Sequence, residues 1–472
     1  YFEAYTIKLT RDAELDIDND LSKSFLEKIS KGVSERSKGQ PVRFVYDKEI
    51  PKDLLDYIIK RLGFDPSDTI IPGTRYHNFK DFMGFPNLGD KHLVYEPLQP
   101  FSHPDIEKHE SIIQLVLKKD IMLHYPYQKF NHFIDFLREA SMDPKVKSIC
   151  ITIYRVAKNS KVMNALINAA RNGKKVTVIM ELQARFDEES NIYWSKKLEQ
   201  VGANVLFGIK GLKVHCKLVL INREEDKKIQ KIAVISTGNF HERNAEVYTD
   251  VSLFTSDNRI TCEVEKVFQF IDNTYLSFNY KHLLVSPMYM RKRLMQLIDN
   301  EAKNARKGKD AYIILKINNL VDNEMVRKLY YANRAGVKIK LIVRGICCIT
   351  PGVPGLSENI EAISIVDRFL EHSRVFVFCN NNNELFYISS ADWMTRNLDH
   401  RIEVACPIYD EELKKHLRMK IEVQLADNVK ARIINDVQDN NYVRNDAPPV
   451  HSQLVLYNYY KELSSKNKEV VS

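Results

Sequence analysis

Beyond residue 147, short runs of aliphatic and β-branched residues alternate with stretches whose apolar positions recur every three or four residues. Ser148 to Val156 predicts a strand. Lys161 to Asn172 places Val162, Leu166, Ile167 and Ala170 on one helical face and stops at Gly173, after which Lys175 to Leu182 predicts a second strand. Strand, helix, strand in this order predicts a βαβ unit with a largely parallel sheet covered by helices. A helix over Glu189 to Val201 and strands over Val214 to Ile221, Ile232 to Ser236 and Val247 to Thr255 continue the pattern.

After Pro287 the pattern restarts, with a helix over Tyr289 to Ala305, strand Ala311 to Ile317, helix Glu324 to Ala335 and strand Lys338 to Val343. Strands over Val375 to Phe378, Leu385 to Ser389 and Ile402 to Pro407 complete it. Ahead of both blocks, residues 1 to about 100 carry a strand-like opening (Tyr5 to Leu9) and helix-like stretches over Leu21 to Val33 and Lys52 to Leu62. Pro100 and Pro104 disfavour helix and strand alike and predict a boundary there.

The two blocks also match residue by residue. Ala169-Ala-Arg-Asn-Gly-Lys-Lys-Val-Thr-Val178 aligns with Ala332-Asn-Arg-Ala-Gly-Val-Lys-Ile-Lys-Leu341, each a helix end, a glycine and a buried strand. His215-Cys-Lys-Leu-Val-Leu aligns with His372-Ser-Arg-Val-Phe-Val, and Ser236-Thr-Gly-Asn-Phe240 with Ser389-Ser-Ala-Asp-Trp393. The charged hairpin expected at Arg223 to Lys228 absorbs the small difference in spacing between these segments. The chain is therefore expected to be α/β, with an internal duplication behind a smaller α/β head. The expected divisions are a head over 1–101 and catalytic domains over 102–283 and 284–472.

Length agrees, since 472 residues correspond to about three domains at roughly 150 residues each. No apolar run approaches the ~18 residues of a spanning helix. Lys and Arg number 70 against 62 Asp and Glu, a formal +8 that matters only where the cations cluster. The seven cysteines show no C-x-x-C pair and lie mostly in strand-like text, so they are expected to be reduced, buried thiols of a cytosolic protein. Tyr1 stands where a Met is usual, so position 1 is expected to be a cut end.

Candidate chemistry follows from the repeat. Duplicated domains usually pack about a pseudo-twofold axis, which brings equivalent positions together. Residues i and i+2 of a strand share a face, so His215 with Lys217, and His372 with Arg374, are expected to line one cavity. A neutral imidazole is a good nucleophile toward phosphorus, a second serves as acid or base, and the cations neutralise phosphoryl oxygens. A single histidine is more often a core residue bonded to a carbonyl; the same H-x-[K/R] text in both halves, each followed by an [ST]-x-[ND] element, favours function. Arg155, Arg185 and Arg344 follow strands at the carboxyl edge where open α/β sheets bind ligands. Neither G-x-x-x-x-G-K-[ST] nor G-x-G-x-x-G is present, so a nucleotide would be held without a Walker or Rossmann cradle.

With these residues placed, the sequence resembles the polyphosphate kinases of the first type, whose catalytic halves are phospholipase D-like. The resemblance rests on Asp120-Ile-Met-Leu-His-Tyr-Pro-Tyr-Gln128, Ile153-Tyr-Arg-Val156, Glu181-Leu-Gln-Ala-Arg-Phe-Asp-Glu188, Leu212-Lys-Val-His-Cys-Lys217, Thr237-Gly-Asn-Phe240 and Tyr248-Thr-Asp250. It continues through Arg344-Gly-Ile-Cys-Cys-Ile-Thr-Pro-Gly-Val-Pro-Gly355, Arg368-Phe-Leu-Glu-His-Ser-Arg374 and Ser390-Ala-Asp-Trp-Met394. It implies reversible transfer of the ATP γ-phosphate to inorganic polyphosphate through a phosphohistidine on His215, with His372 as the second essential histidine. It further implies nucleotide contacts from Tyr248 and Arg344, and a Mg²⁺ site at Arg155 and Arg185. A guanidinium has no lone pair for a cation, so those two arginines are read as holding the phosphates that Mg²⁺ bridges. Lys217, Arg374, Asn239 and Asp392 come from the repeat alignment. The resemblance also implies a homo-oligomer, cytoplasmic and peripheral at the inner membrane face, with no nucleic-acid partner. The family's helical N-terminal domain has no counterpart here. Two rivals are a phosphodiesterase of the same superfamily, a nuclease or lipase, and a polyanion binder without catalysis.

Overall fold

Alternation of apolar and polar positions in the first hundred residues is too sparse for a large core, and the computed structural model shows a small sheet there. The structure describes residues 2–11, 41–64, 69–77, 82, 84–86, 88–89, 91–181, 188–209 and 211–465. The chain separates into two units, Tyr1–Leu98 and Gln99–Ser472. In the first, β1 (Ile7–Arg11) pairs antiparallel with β2 (Pro41–Asp47), and β2 pairs parallel with β3 (Thr69–Gly73) across helix α1 (Lys52–Leu62). Gly63 at φ 68° ends α1 in the left-handed region that glycine adopts without a steric cost. The helix expected over Leu21 to Val33 lies outside the described residues.

The second unit contains two similar sheets. The first half supplies β4 (Ile121–Tyr125), α2 (Asn131–Met142), β5 (Val146–Ile153), α3 (Lys161–Arg171), β6 (Lys175–Met180), α4 (Glu188–Gln200) and β7 (Asn204–Phe207). It continues with β8 (Lys213–Val214), β9 (Lys217–Glu225), β10 (Lys228–Ser236), β11 (Tyr248–Thr255) and α5 (Asn258–Asp272). The second half follows the same order without a counterpart of α4: β12 (Leu284–Ser286), α6 (Met290–Arg306), β13 (Tyr312–Ile317), α7 (Asn323–Arg334), β14 (Lys338–Val343), β15 (Ile360–Ile365) and β16 (Leu370–Glu371). Then come β17 (Arg374–Phe378), β18 (Leu385–Ser389), β19 (Arg401–Ile408), α8 (Glu411–Leu425), β20 (Ala431–Ile433) and α9 (Ser452–Ser465). Ser160 caps α3 by accepting from the Met163 N–H, and Gly173 at φ 78° follows its end.

The sheets are mixed, which corrects the expected largely parallel arrangement. β5, β6 and β7 run parallel, as βαβ crossovers require, but β9, β10, β11 and β4 are antiparallel. The cause is local: β9 and β10 are joined by a tight turn whose Asp226 and Lys227 both have positive φ, and a hairpin so short can link only antiparallel neighbours. The second sheet repeats this, with β13, β14 and β15 parallel and β17, β18 and β19 antiparallel.

One apolar cluster spans both halves. Leu218, Leu220, Ile235, Val251 and Leu253 from the first sheet meet Val375, Val377, Ile388, Ile402 and Val404 from the second. The alternate residues Phe376 and Phe378 turn to the opposite face, against Leu294, Ile298 and Trp393. Two face-packed sheets related by duplication therefore bring equivalent strand ends together. The thiols are all free, as expected, but only Cys216, Cys379 and Cys406 are buried. Cys262 is exposed because α5 turns Ile260, Val264 and Val267 inward instead, and Cys348 is exposed in the loop after β14. Among the described residues no helix is long and apolar enough to cross a membrane.

Candidate active site

The strand expected over Val214 to Ile221 is interrupted: β8 ends at Val214 and β9 begins at Lys217, leaving His215 and Cys216 outside the ladder. The same break leaves His372 and Ser373 between β16 and β17. Shared strand faces therefore do not place these histidines. Each is delivered instead by a two-residue strand that crosses to the other half: β8 pairs with β19, and β16 with β11. The His215 and Cys216 N–H groups both donate to the Ile402 carbonyl, at 3.0 and 2.9 Å. Ser373 N–H donates to the Thr249 carbonyl at 2.7 Å.

The exchange carries side chains with it. His215 Nδ1 lies 2.9 Å from Glu403 Oε2, and Glu403 also accepts from Ser390 Oγ and, at 2.6 Å, from Asn397 Nδ2. His372 Nδ1 lies 2.9 Å from both oxygens of Asp250, which accepts from Thr237 Oγ1 at 2.7 Å. Each half's imidazole is thus oriented by the other half's carboxylate, itself held by a hydroxyl of the [ST]-x-[ND] element. Carboxylates only accept, so both Nδ1 atoms carry the hydrogen and both Nε2 atoms present lone pairs. Burial holds His215 neutral, its pKa lowered to about 3 although Glu403 pulls the other way. His372 is lowered for the same reason, opposed by Asp250. Burial works against ionisation of Glu403 and Asp250, yet their hydrogen bonds and the nearby cations keep both below the usual carboxylate range.

The cations lie close to these histidines or to the strands beside them. Arg374 Nη1 stands 3.3 Å from His372 Nε2 and donates to the Thr237 carbonyl of the first half at 3.2 Å. Its charge is balanced by Asp392, whose Oδ1 is 3.1 Å from Arg374 Nε. Lys217 Nζ donates to the His215 carbonyl. Burial lowers its pKa to about 7; Glu403 opposes the shift and Arg374 adds to it. Arg344, directly after β14, donates from Nε to Asn318 Oδ1 at 3.3 Å, and Asn318 Nδ2 donates to the His372 carbonyl. Tyr248 lies 5.0 Å from the His372 ring, centroid to centroid, and Tyr154 lies 5.1 Å from that of His215. The Asn239 side-chain oxygen is buried without a hydrogen-bond partner. Arg155 sits two residues beyond β5, and Arg185 lies outside the described residues. Sequence reading gave no role to Glu403, Asp250, Tyr154 or the two hydroxyls, although the hydroxyls lie in the [ST]-x-[ND] elements it singled out. The alignable signal for the acids is Tyr248-Thr-Asp250 against Arg401-Ile-Glu403, which open equivalent strands.

Two neutral histidines held by exchanged carboxylates, with buried cations beside them, in a duplicated α/β pair of domains make a site of the phosphotransferase class. Family models agree along the chain: the polyphosphate kinase middle domain matches residues 1–85, C-terminal domain 1 matches 111–277 and C-terminal domain 2 matches 283–453. The polyphosphate kinase of Vibrio parahaemolyticus is 50% identical over 465 residues, covering 98% of this chain and 67% of that protein. That of Escherichia coli K12 is 47% identical over 463 residues, with the same coverage. The crystal structure of the Porphyromonas gingivalis polyphosphate kinase superposes with a TM-score of 0.85 at 37% identity, over 98% of this chain and 68% of that one. The chain belongs to the polyphosphate kinase family and is a phosphotransferase, which disfavours both the phosphodiesterase and the non-catalytic binder.

Proposed function

We propose that this chain transfers the γ-phosphoryl group of ATP reversibly to inorganic polyphosphate through a phosphohistidine on His215. What supports the assignment is the pairing of His215 Nδ1 with buried Glu403, which leaves a neutral imidazole with a lone pair on Nε2, while Lys217, two residues on, reaches the His215 carbonyl. Nε2 attacks the γ-phosphorus in line; the Nε2–P bond forms as the bond to the β-phosphate oxygen breaks, and ADP leaves. The positive charge arising on the ring is met by Glu403. The terminal phosphate oxygen of polyphosphate then attacks the same phosphorus and His215 departs. One phosphoanhydride-level bond replaces another in each step, so the reaction runs both ways. His372, oriented by Asp250, assists proton transfer or holds the phosphates, while Tyr248 and Arg344 contact the nucleotide. Lys217, Arg374 and Asn239 bind phosphate oxygens in the same reading.

In this reading Mg²⁺ enters on the substrate's side. Among the described residues no group of three or more His, Cys, Asp or Glu could hold a metal, and arginines have no lone pair for one. Arg155 and Arg185 are therefore assigned to phosphates, and the ion is proposed to arrive on the nucleotide, as Mg²⁺ commonly does. The same reading divides the chain into a head (1–101) and two catalytic domains (102–283, 284–472). It also includes homo-oligomer formation and a cytoplasmic location, peripheral at the inner membrane face.

Incubation with γ-labelled ATP should leave acid-labile, base-stable label that maps to the peptide containing His215. Label on His372 instead would overturn the assignment. A pH series tests the phosphate-binding role of Lys217. With a pKa near 7 in the free protein, this ammonium is charged below that pH and neutral above it. Hence kcat/KM for ATP, which reports the free enzyme, should fall as pH rises through about 7. The fall in kcat should come at higher pH, because bound phosphates favour the charged form. Lys217→Arg should abolish that limb, and its persistence would remove Lys217 from the role.

A further inference from the structure

Glu371 immediately precedes His372 and is almost wholly buried, yet it has no counterpart in the first half, where Val214 occupies the equivalent place in the apolar cluster. Its two carboxylate oxygens accept from four elements. Lys316 Nζ of β13 and Thr249 Oγ1 of β11, the latter at 2.9 Å, reach Oε2. Gln424 Nε2 of α8 also donates to Oε2, at 2.9 Å, and Gln453 Nε2 of α9 donates to Oε1 at 2.8 Å. Gln453 additionally clamps the backbone just upstream: its Oε1 accepts from Phe369 N–H and its Nε2 donates to the Phe369 carbonyl, both at 2.9 Å. The hub then passes directly to the histidine. Thr249 Oγ1 accepts from the His372 N–H at 3.2 Å, and Lys316 Nζ donates to Ser373 Oγ at 2.9 Å on its other side.

In the first half the position of Lys316 is taken by Thr152, whose hydroxyl donates to the Cys216 carbonyl at 2.7 Å and accepts from Leu218 N–H at 3.0 Å. That contact is local to β5 and β9. His215 is therefore fixed within the two sheets, whereas His372 hangs on a buried polar hub that reaches two helices following the second sheet. A buried carboxylate saturated by four donors is rigid, because releasing any one of them leaves an unsatisfied group in a low dielectric.

We infer that Glu371, Gln424 and Gln453 are positioning residues for the phosphoryl transfer: through β16 they set where the His372 imidazole stands relative to Asp250 and Arg374. This deepens the proposed function, since it rests on His372 acting in the reaction. α8 and α9 are thereby parts of the catalytic apparatus even though neither supplies a residue that touches substrate.

The test uses Gln453→Leu and Gln424→Leu, on separate helices so that a folding failure of one leaves the other, with melting temperature as the control for folding. Two readouts are taken on the whole chain: steady-state kinetics, and the rate at which diethyl pyrocarbonate modifies His372 and His215, resolved by peptide mass spectrometry. Displacing a catalytic group by about an ångström costs on the order of tenfold to a hundredfold. Each variant should therefore lower kcat by about that factor with KM for ATP unchanged, and should alter the modification rate of His372 while that of His215 stays as in the parent. Unchanged His372 reactivity in both folded variants would overturn the inference. Altered His372 reactivity with undiminished kcat would uphold the hub and instead remove His372 from the proposed mechanism.

Discussion

His215→Ala should carry no acid-labile phosphate after incubation with ATP, and Glu403→Gln, which keeps the imidazole, should transfer phosphate roughly 10³- to 10⁴-fold more slowly. The alanine variant lacks the attacking nitrogen. The glutamine variant fails for a subtler reason. Glu403 lies within hydrogen-bond distance of His215 Nδ1 and also accepts from Ser390 and Asn397. Asn397, which can only donate through its NH₂, reaches Oε1, whereas the Ser390 hydroxyl and His215 Nδ1 share Oε2, so an amide that keeps its oxygen on Asn397 turns its NH₂ toward Ser390 and Nδ1. That contact favours the tautomer with hydrogen on Nε2, so the lone pair needed for attack is lost. A carboxylate that fixes the tautomer of a working histidine is worth about 10⁴ in rate where this has been tested in other enzymes. Stopped-flow measurement of phosphoenzyme formation separates the two variants: none for alanine, slow but complete for glutamine. A glutamine variant with parental phosphorylation rate would show that Glu403 is structural. Asp250→Asn, acting on the assisting histidine, should cost about 10²-fold.

That pair of predictions rests on residues that the repeat contained but did not announce. The duplication was legible because His215 and His372 sit in text that aligns without structure, and most of the strands and helices expected from apolar runs and helical periodicity lie within a residue or two of their observed bounds. The carboxylates were not legible as partners, because 188 and 122 residues separate them from their histidines. Their pairing follows from β8 and β16 crossing between sheets, and strands of two residues leave no periodic trace in a sequence. The shared strand face invoked for His215 and Lys217 was wrong in detail for the same reason: the ladder breaks at the histidine so that the chain can reach the other half. The two halves are nevertheless joined at these histidines, by the crossings of β8 to β19 and β16 to β11 and not by strand pleat. The apolar runs of β9 and β10 look alike whether the strands run parallel or antiparallel, and the antiparallel pair was implicit in the short hairpin expected between them at Arg223 to Lys228. Only the turn at Asp226 and Lys227 decides between them.

The repeat alignment also exposes a position where the halves cannot be interchanged. Gly238 and Ala391 are equivalent, each one residue after the hydroxyl that holds the other half's histidine-orienting acid. A Cβ on Gly238 would lie 2.0 Å from Asp250 Oδ2 and 2.2 Å from its Cγ, well inside any tolerated contact. In the second half, the longer Glu403 reaches its Ser390 and His215 partners with a methyl already present at Ala391. The short arm of Asp250 therefore requires the missing side chain at 238. Backbone freedom is not the reason, for Gly238 is not among the glycines with positive φ. Gly238→Ala should expel the carboxylate from between Thr237 and His372, breaking both contacts at once. Overpacking of this kind costs about 1–3 kcal/mol of stability, and loss of an oriented general acid or base costs about 10²- to 10⁴-fold in rate. The variant should accordingly melt several degrees lower yet remain folded, with kcat depressed at least a hundredfold. Ala391→Gly should change kcat by less than about twofold, the methyl being tolerated there and no acid displaced. Gly238→Ala,Asp250→Gly, which removes the obstructed carboxylate, should recover the melting temperature and none of the activity. Recovery of both would mean that Asp250 has no part in orienting His372, and that the clash at Gly238 acts on stability alone.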